Sequence, residues 1–329
     1  MIALLLVLAG LGLLMLAGSA WEAWQAARER RRVATRGQFV QIGEIQLHAV
    51  VHGRRRNVQD PAIILDGGLT NGSLAWPAVT RALENDWLLV SFDRAGHNWS
   101  SPAPLPRNAE ALLAEQRALL AALHITPPWV LVAHSFSGHI ARLHAARHPE
   151  DVAGLVLVEA TPAPQVAPVL RSRYARALAW KVPLARLGLW RLWSLRRRLP
   201  PLPGQVAPPT MITTWLHLSR SARALAATQA ELACFAADHA AVEAAPPPRQ
   251  PSIVLASTEG AVAVPPGMAA ATAHEAALAA QRDLAARLPR GQLRVVEAPD
   301  HDLPWSAPGE VAAAIEELAR HAAPARRPG

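Results

Sequence analysis

The chain opens on an uninterrupted apolar run. From Ile2 to Trp21 no residue is charged, and Leu, Ala, Val and Gly dominate. About 20 such residues form a helix of about 30 Å, the thickness of a hydrocarbon core, so residues 1–21 read as a transmembrane anchor. A cleaved signal peptide is the alternative, because Gly18-Ser19-Ala20 offers the small side chains a signal peptidase requires. The missing basic n-region and the length of the run favour the anchor. Residues 22–36 follow as a basic juxtamembrane linker that reads as a charged helix. Arg28, Arg30, Arg31, Arg32 and Arg36 come after the apolar run and nothing basic precedes it, which by the positive-inside rule places the remaining chain on the cytoplasmic side. A secreted or periplasmic protein is the alternative if the segment is cleaved.

Beyond residue 37 the pattern changes to short apolar runs alternating with helical periodicity. Residues 38–51 alternate polar and apolar positions around Gly43-Glu44, as a β-hairpin does. Continuous apolar runs at 62–65, 87–91, 129–133 and 155–158 are separated by helical stretches near 74–84, 108–124 and 138–148. Strands that are apolar on both faces and alternate with helices predict an α/β fold, a mostly parallel central sheet covered by helices on both sides. Between 161 and 250 the strands stop, and proline-punctuated helix rich in Arg and Trp replaces them. The alternation resumes with strands at 251–255 and 293–296 and helices near 273–288 and 308–321. The organisation expected is therefore a core of residues 37–160 and 251–322 interrupted by a helical cap over 161–250, with a loose tail at 323–329.

Composition narrows the function. The formal charge of +8 is almost all arginine, Lys181 being the single lysine. The arginines fall in local clusters without interleaved stacking aromatics, which argues against nucleic acid as a partner. One cysteine, Cys234, rules out an internal disulfide and a cysteine-based zinc site. His144 and His148 stand one helical turn apart, but no third ligand is in pattern, so no metal is expected, and no cofactor motif is found.

The chemistry-bearing motif follows the run at 129–133. Ala133-His134-Ser135-Phe136-Ser137-Gly138 joins a predicted strand directly to a predicted helix. A serine on so sharp a turn has a strained backbone and an exposed hydroxyl, and its neighbours two positions away must be small. Ala133 and Ser137 meet that demand where glycines are usual, and Gly138 follows. The helix that starts after Ser135 turns its N-terminal dipole towards a developing oxyanion. The plainer reading is a polar loop with Ser135 or Ser137 as an N-cap.

From Gly37 to about Pro164, and again from Gln292 to Leu318, the chain resembles the membrane-anchored bacterial α/β-hydrolases related to lipases, esterases and non-haem haloperoxidases. The resemblance is carried by Leu65-Asp66-Gly67-Gly68 with Trp76, by Phe92-Asp93-Arg94-Ala95-Gly96-His97-Asn98-Trp99-Ser100, by the elbow, by His148-Pro149 with the run from Val152 to Glu159, and by His301 with Pro308. It implies Ser135 as nucleophile and His301, in the loop after the last strand, as general base. The acid is either Glu159, where similar sequences carry Asp, or Glu259, after the next strand; the stronger local match favours Glu159. The backbone amides of Phe136 and Gly68 would form the oxyanion hole. Asp66 replaces the family's usual histidine, and Asp93-Arg94 looks like a structural pair that holds the turn below the site.

The activity implied is hydrolysis of a carboxylic ester, apolar or amphipathic, through an acyl-serine. Acyl transfer, perhydrolysis or amide cleavage on the same triad, and an inactive membrane-tethered binding protein, are the alternatives. Serine rather than aspartate at 135 argues against dehalogenases and epoxide hydrolases, which need an alkyl ester on a carboxylate. If residues 184–199 form one helix, Leu184, Gly188, Leu192, Leu195 and Leu199 share one stripe, and Arg186, Trp190, Trp193 and Arg197 share the other. Trp with Arg suits lipid headgroups, which would rest the cap on the bilayer; an ordinary cap helix with solvated arginines and half-buried indoles is the alternative.

Overall fold

The computed structural model describes residues 1–32, 36–160, 167–196, 209–260 and 267–324. Arg197, Leu199, the start of the cap at 161–166 and the tail from 325 lie outside the described residues. Helix α1 (Ile2–Arg32) is followed by β1 (Gln38–Ile42) and β2 (Ile45–His52), an antiparallel hairpin whose turn uses Gly43 at φ +58°. Then come β3 (Ala62–Asp66), α2 (Pro77–Leu83), β4 (Leu88–Phe92), α3 (Ala109–Ala122), β5 (Trp129–His134), α4 (Gly138–Arg147) and β6 (Val152–Val158). Four cap helices, α5 (Ala167–Arg186), α6 (Leu189–Arg196), α7 (Pro209–Ser219) and α8 (Ala222–Ala244), precede β7 (Ser252–Ser257), α9 (Ala270–Arg287), β8 (Gly291–Val296), α10 (Leu303–Ser306) and α11 (Pro308–Ala322).

The eight strands order as β1-β2-β4-β3-β5-β6-β7-β8, antiparallel at the β1–β2 and β2–β4 pairings and parallel elsewhere. Alternate residues of each strand enter opposite faces. Ile63, Leu65, Val130, Val132, Val156 and Ile253 pack under α2 and α11, whereas Ile64, Leu131, Leu155, Leu157 and Val254 pack under α3, α4 and α9. Each such side chain, fully buried, contributes about 1.5–3 kcal/mol. The parallel strands all end at one edge, so the loops after β3, β5, β6, β7 and β8 converge there.

Two expectations need correction. The helix predicted near 74–84 is split by Pro77, with a 3-10 turn at Gly72–Ala75 before α2. The juxtamembrane helix continues α1 without a break to Arg32, and Glu22 is buried against the cap. The single helix expected over 184–199 is broken at Gly188, which adopts φ +74° between α5 and α6. The break turns Trp190 inward, where it is 7% exposed and stacks on Trp193 at 4.7 Å. Trp190 therefore cannot face lipid, whereas Trp193 is 41% exposed.

Helix α1 is, among the described residues, the one long and apolar enough to cross a membrane, and none of its most apolar 18-residue window is buried. A membrane anchor and a signal sequence share that signature.

Candidate active site

Strand β5 ends at His134, and Ser135 turns the chain with φ +55° before a 3-10 turn (Ser135–Ser137) leads into α4. The turn needs small neighbours: Ala133 is 1% exposed and Ser137 is completely buried. Ser137 fits where glycine is usual because its hydroxyl has partners. Its Oγ lies 2.9 Å from the carbonyls of both Asp66 and His134, so one O–H is shared between the ends of β3 and β5. The amide of Phe136 belongs to the first turn of this helical stretch, where N–H groups have no intrahelical acceptor.

Glu159 follows β6 and is also held at positive φ, +45°. Its carboxylate is buried; Oε1 accepts the Ser257 amide, and Oε2 lies 3.2 Å from Nδ1 of His301. A side chain at Gly260 would stand 2.5 Å from Oε1, so with glycine there the loop after β7 lies close over the carboxylate without displacing it. Glu259, in that same loop, is exposed and does not meet the imidazole. Burial alone would lower the pKa of His301, but the hydrogen bond and charge of Glu159 outweigh it and hold the imidazolium above its ordinary range. With Nδ1–H donated to Glu159, the lone pair is on Nε2, which is buried and, among the described residues, has no hydrogen-bond partner, Ser135 Oγ included. Catalytic hydrogen bonds commonly tighten only when substrate is bound.

His134 braces the His301 loop. Its ring lies 5.0 Å from that of His301, and its Nε2–H donates to the His301 carbonyl at 3.0 Å. Burial lowers its pKa to about 4, so it stays neutral. It packs beside the elbow.

The loop after β3 brings Gly68 to Ser135. A Cβ built on Gly68 would lie 3.5 Å from Cβ of Ser135 and 3.1 Å from Nδ1 of His134. Arg94 fixes the loop from the other side, donating from Nη1 to the Gly67 carbonyl at 2.8 Å and from Nη2 to the Gly68 carbonyl at 2.9 Å. Because the peptide is planar and trans, a Gly67 carbonyl aimed at the guanidinium turns the Gly68 N–H to the opposite side. Arg94 also meets Asp66 at 2.7 Å and both oxygens of Glu231 at 3.1 and 3.2 Å. Burial would raise both carboxylates. The charge of Arg94 overcomes it for Glu231, held at about 2, and not for Asp66, which stands at about 6.

Asp93 and Arg94 are thus structural in two separate places rather than as a pair. Asp93 holds the turn by accepting from the Ser73 amide at 2.8 Å, from Asn98 at 2.9 Å and from His48 at 2.7 Å. Asp66, where a histidine is usual, is explained by Arg94. Glu231 went unnoticed in the sequence although a signal existed. Ala224, Thr228, Glu231, Phe235, Asp238 and Val242 recur at helical spacing along the buried face of α8, and two carboxylates on an apolar stripe demand partners. The His144 ring has Nδ1 2.8 Å from Gln116 Oε1 and Nε2 3.3 Å from Nη1 of Arg117. His148, Glu150 and Asp151 place ligand atoms within 4.8 Å of one another, in a half-exposed loop where Asp151 already pairs with Arg117.

Known proteins fit this architecture. An esterase from Thermogutta terrifontis superposes with a TM-score of 0.65 at 20% identity, covering 88% of this chain and 100% of its own. A putative epoxide hydrolase from Pseudomonas aeruginosa gives 0.65 at 18%, covering 87% and 96%. In sequence, a putative carbamate hydrolase from Klebsiella pneumoniae is 34% identical over 99 residues, 30% of this chain and 37% of that protein. The curated relatives of this kind are matched over at most 42% of their own length. The model of the alpha/beta hydrolase family matches residues 50–314, a span that contains the elbow, both loops and the cap, and the chain belongs to that family.

Proposed function

We propose that this chain is a serine hydrolase that cleaves carboxylic esters, anchored by α1 in a bilayer from which it draws apolar or amphipathic substrates. The observation that carries the reading is the ordering of His301: a buried carboxylate on Nδ1, and a bare, buried Nε2 on the loop that packs against the Ser135 elbow. An imidazole so placed takes the Ser135 proton as the hydroxyl attacks the ester carbonyl. The Phe136 and Gly68 amides receive the negative charge that develops on the carbonyl oxygen. His301 then returns the proton to the leaving alcohol, and a water activated by the same imidazole releases the acid and restores Ser135. Because the nucleophile is serine, the intermediate is an acyl ester rather than an alkyl one, which separates this reading from the epoxide hydrolase among the structural relatives.

A fluorophosphonate probe tests it. Wild type should label and Ser135→Ala should not, with turnover of p-nitrophenyl esters falling by about four orders of magnitude or more in the variant. Absence of labelling in folded protein would leave a tethered binding protein in place of an enzyme. An acyl-length series measured with and without micelles reads the substrate preference. Rates that rise with chain length and on micelles support lipophilic esters, and a preference for acetyl esters in solution opposes them.

A further inference from the structure

Helix α1 is built into the cap. Glu22 accepts from Arg191 of α6 at 2.5 and 3.0 Å and from the amide of Ala222, at the start of α8, at 3.0 Å. Glu29 binds Nη1 of Arg191 at 2.5 Å and Nη2 of Arg220 at 3.0 Å. Contact begins at the last turns of the apolar run, where a Cβ on Gly18 would strike the Leu187 carbonyl at 2.3 Å and one on Gly188 would meet the Trp21 ring at 2.9 Å. If α1 crosses a membrane, the cap therefore meets it where the hydrocarbon ends.

Just beyond that level, α1, α6 and α7 enclose a cavity of about 350 Å³ whose wall carries Arg28, Arg32, Arg191 and Arg220. Its lining holds four guanidinium groups and one carboxylate, Glu29; Glu29 and the neighbouring Glu22 are taken up by Arg191, Arg220 and His217. Arg28 stacks on Trp24 at 5.1 Å, and neither it nor Arg32 has a carboxylate partner among the described residues. The wall thus keeps two positive charges in excess. Guanidinium forks match phosphate oxygens, and Thr214 and His217 add smaller polar groups. Arg28 and Arg32 lie about 10–16 Å past Trp21 along the helix, and long arginine side chains reach back towards the interface, so their charges fall at headgroup depth. On α6 the exposed Leu189, Leu192 and Trp193 offer apolar surface beside the cavity.

We propose that this cavity binds the phosphate of an anionic phospholipid in the bilayer that α1 crosses. The proposal rests on the reading of α1 as a membrane span and not on the activity of Ser135. Full-length Ser135→Ala protein, used so that no lipid is hydrolysed, is titrated in dodecylmaltoside with dihexanoylphosphatidylglycerol, dihexanoylphosphatidylcholine and inorganic phosphate. The glycerol lipid should bind at least about tenfold tighter than the choline lipid, weaken with added salt, and lose its advantage in the Arg28→Gln, Arg32→Gln double variant without a change in unfolding temperature. Equal affinity for the two lipids, a preference that survives the double variant, or inorganic phosphate binding as tightly as the glycerol lipid would each overturn the lipid site. Carbonate extraction of native membranes tests the premise separately: release of the full-length chain removes the span and with it the proposal. Retention with equal lipid affinities removes the proposal alone, and fluorophosphonate labelling of wild type reports on the hydrolase reading in both cases.

Discussion

Glu159 Oε2 lies 3.2 Å from His301 Nδ1 across 142 residues of chain, while Glu259, in the loop that covers the Glu159 carboxylate, stays in solvent. The two acids that sequence leaves open are therefore separable by experiment. Glu159→Gln keeps the shape but offers the imidazole an amide, so kcat should fall by about 10³–10⁴. Glu259→Gln should leave kcat within about twofold. Steady-state ester hydrolysis measures both, and an active Glu159→Gln paired with a dead Glu259→Gln would reverse the assignment.

The same contact sets the acidic limb of the pH profile. Burial alone pushes His301 below its usual value of about 6.5, and the buried carboxylate reverses the sign. The base works only when neutral, so kcat/KM in wild type should be half-maximal above pH 6.5. In Glu159→Gln the limb should move to lower pH. In stability the sign is opposite: a histidine raised by folding stabilises the protein below its unfolded pKa, and that contribution disappears as pH rises through the folded value. A limb unmoved by the substitution would show that some other group controls it.

Arg94 links the cap to the loop after β3, since Glu231 of α8 holds one side of its guanidinium and the Gly67 and Gly68 carbonyls the other. Glu231→Ala removes one partner of a fully buried charge and should cost about 3–5 kcal/mol in urea unfolding. Arg94→Lys keeps one charge but cannot reach two carboxylates and two carbonyls together. In a folded Arg94→Lys protein kcat should drop by about 10²-fold with KM little changed, the signature of a lost oxyanion donor. An unchanged kcat would confine Arg94 to stability.

The sheet was legible because strands buried on both faces are written as unbroken apolar runs, and 62–65 and 129–133 coincide with β3 and β5 almost to the residue. The elbow was legible because a small-x-Ser-x-small run between such a strand and a helix has few other uses. The cap was not. A 3.6 periodicity carried through Gly188 hides a break that needs only one residue at positive φ, and with it the inward turn of Trp190. Nor does periodicity pair charges across the fold: Glu22 and Arg191 are 169 positions apart, and Arg94 and Glu231 are 137 apart. Such partners are fixed by tertiary packing, which no local pattern encodes.

Ser135 itself carries the remaining prediction, because its φ of +55° is unfavourable for any residue with a Cβ. Ser135→Ala and Ser135→Gly both remove the hydroxyl, so both should be inactive and unlabelled by a fluorophosphonate. They differ in the Cβ alone, which glycine lacks and which makes the left-handed region costly by about 1–2 kcal/mol. Glycine gives part of that back through the larger entropy of its unfolded chain. Ser135→Gly should therefore unfold at higher urea than Ser135→Ala, by about 1 kcal/mol, although glycine is the poorer residue at most positions in a fold. The ordering isolates the backbone, since any effect of the lost hydroxyl is common to both variants. Ser135→Ala matching or exceeding Ser135→Gly in stability would mean that the turn is relaxed, and the strained presentation of the nucleophile would have to be abandoned.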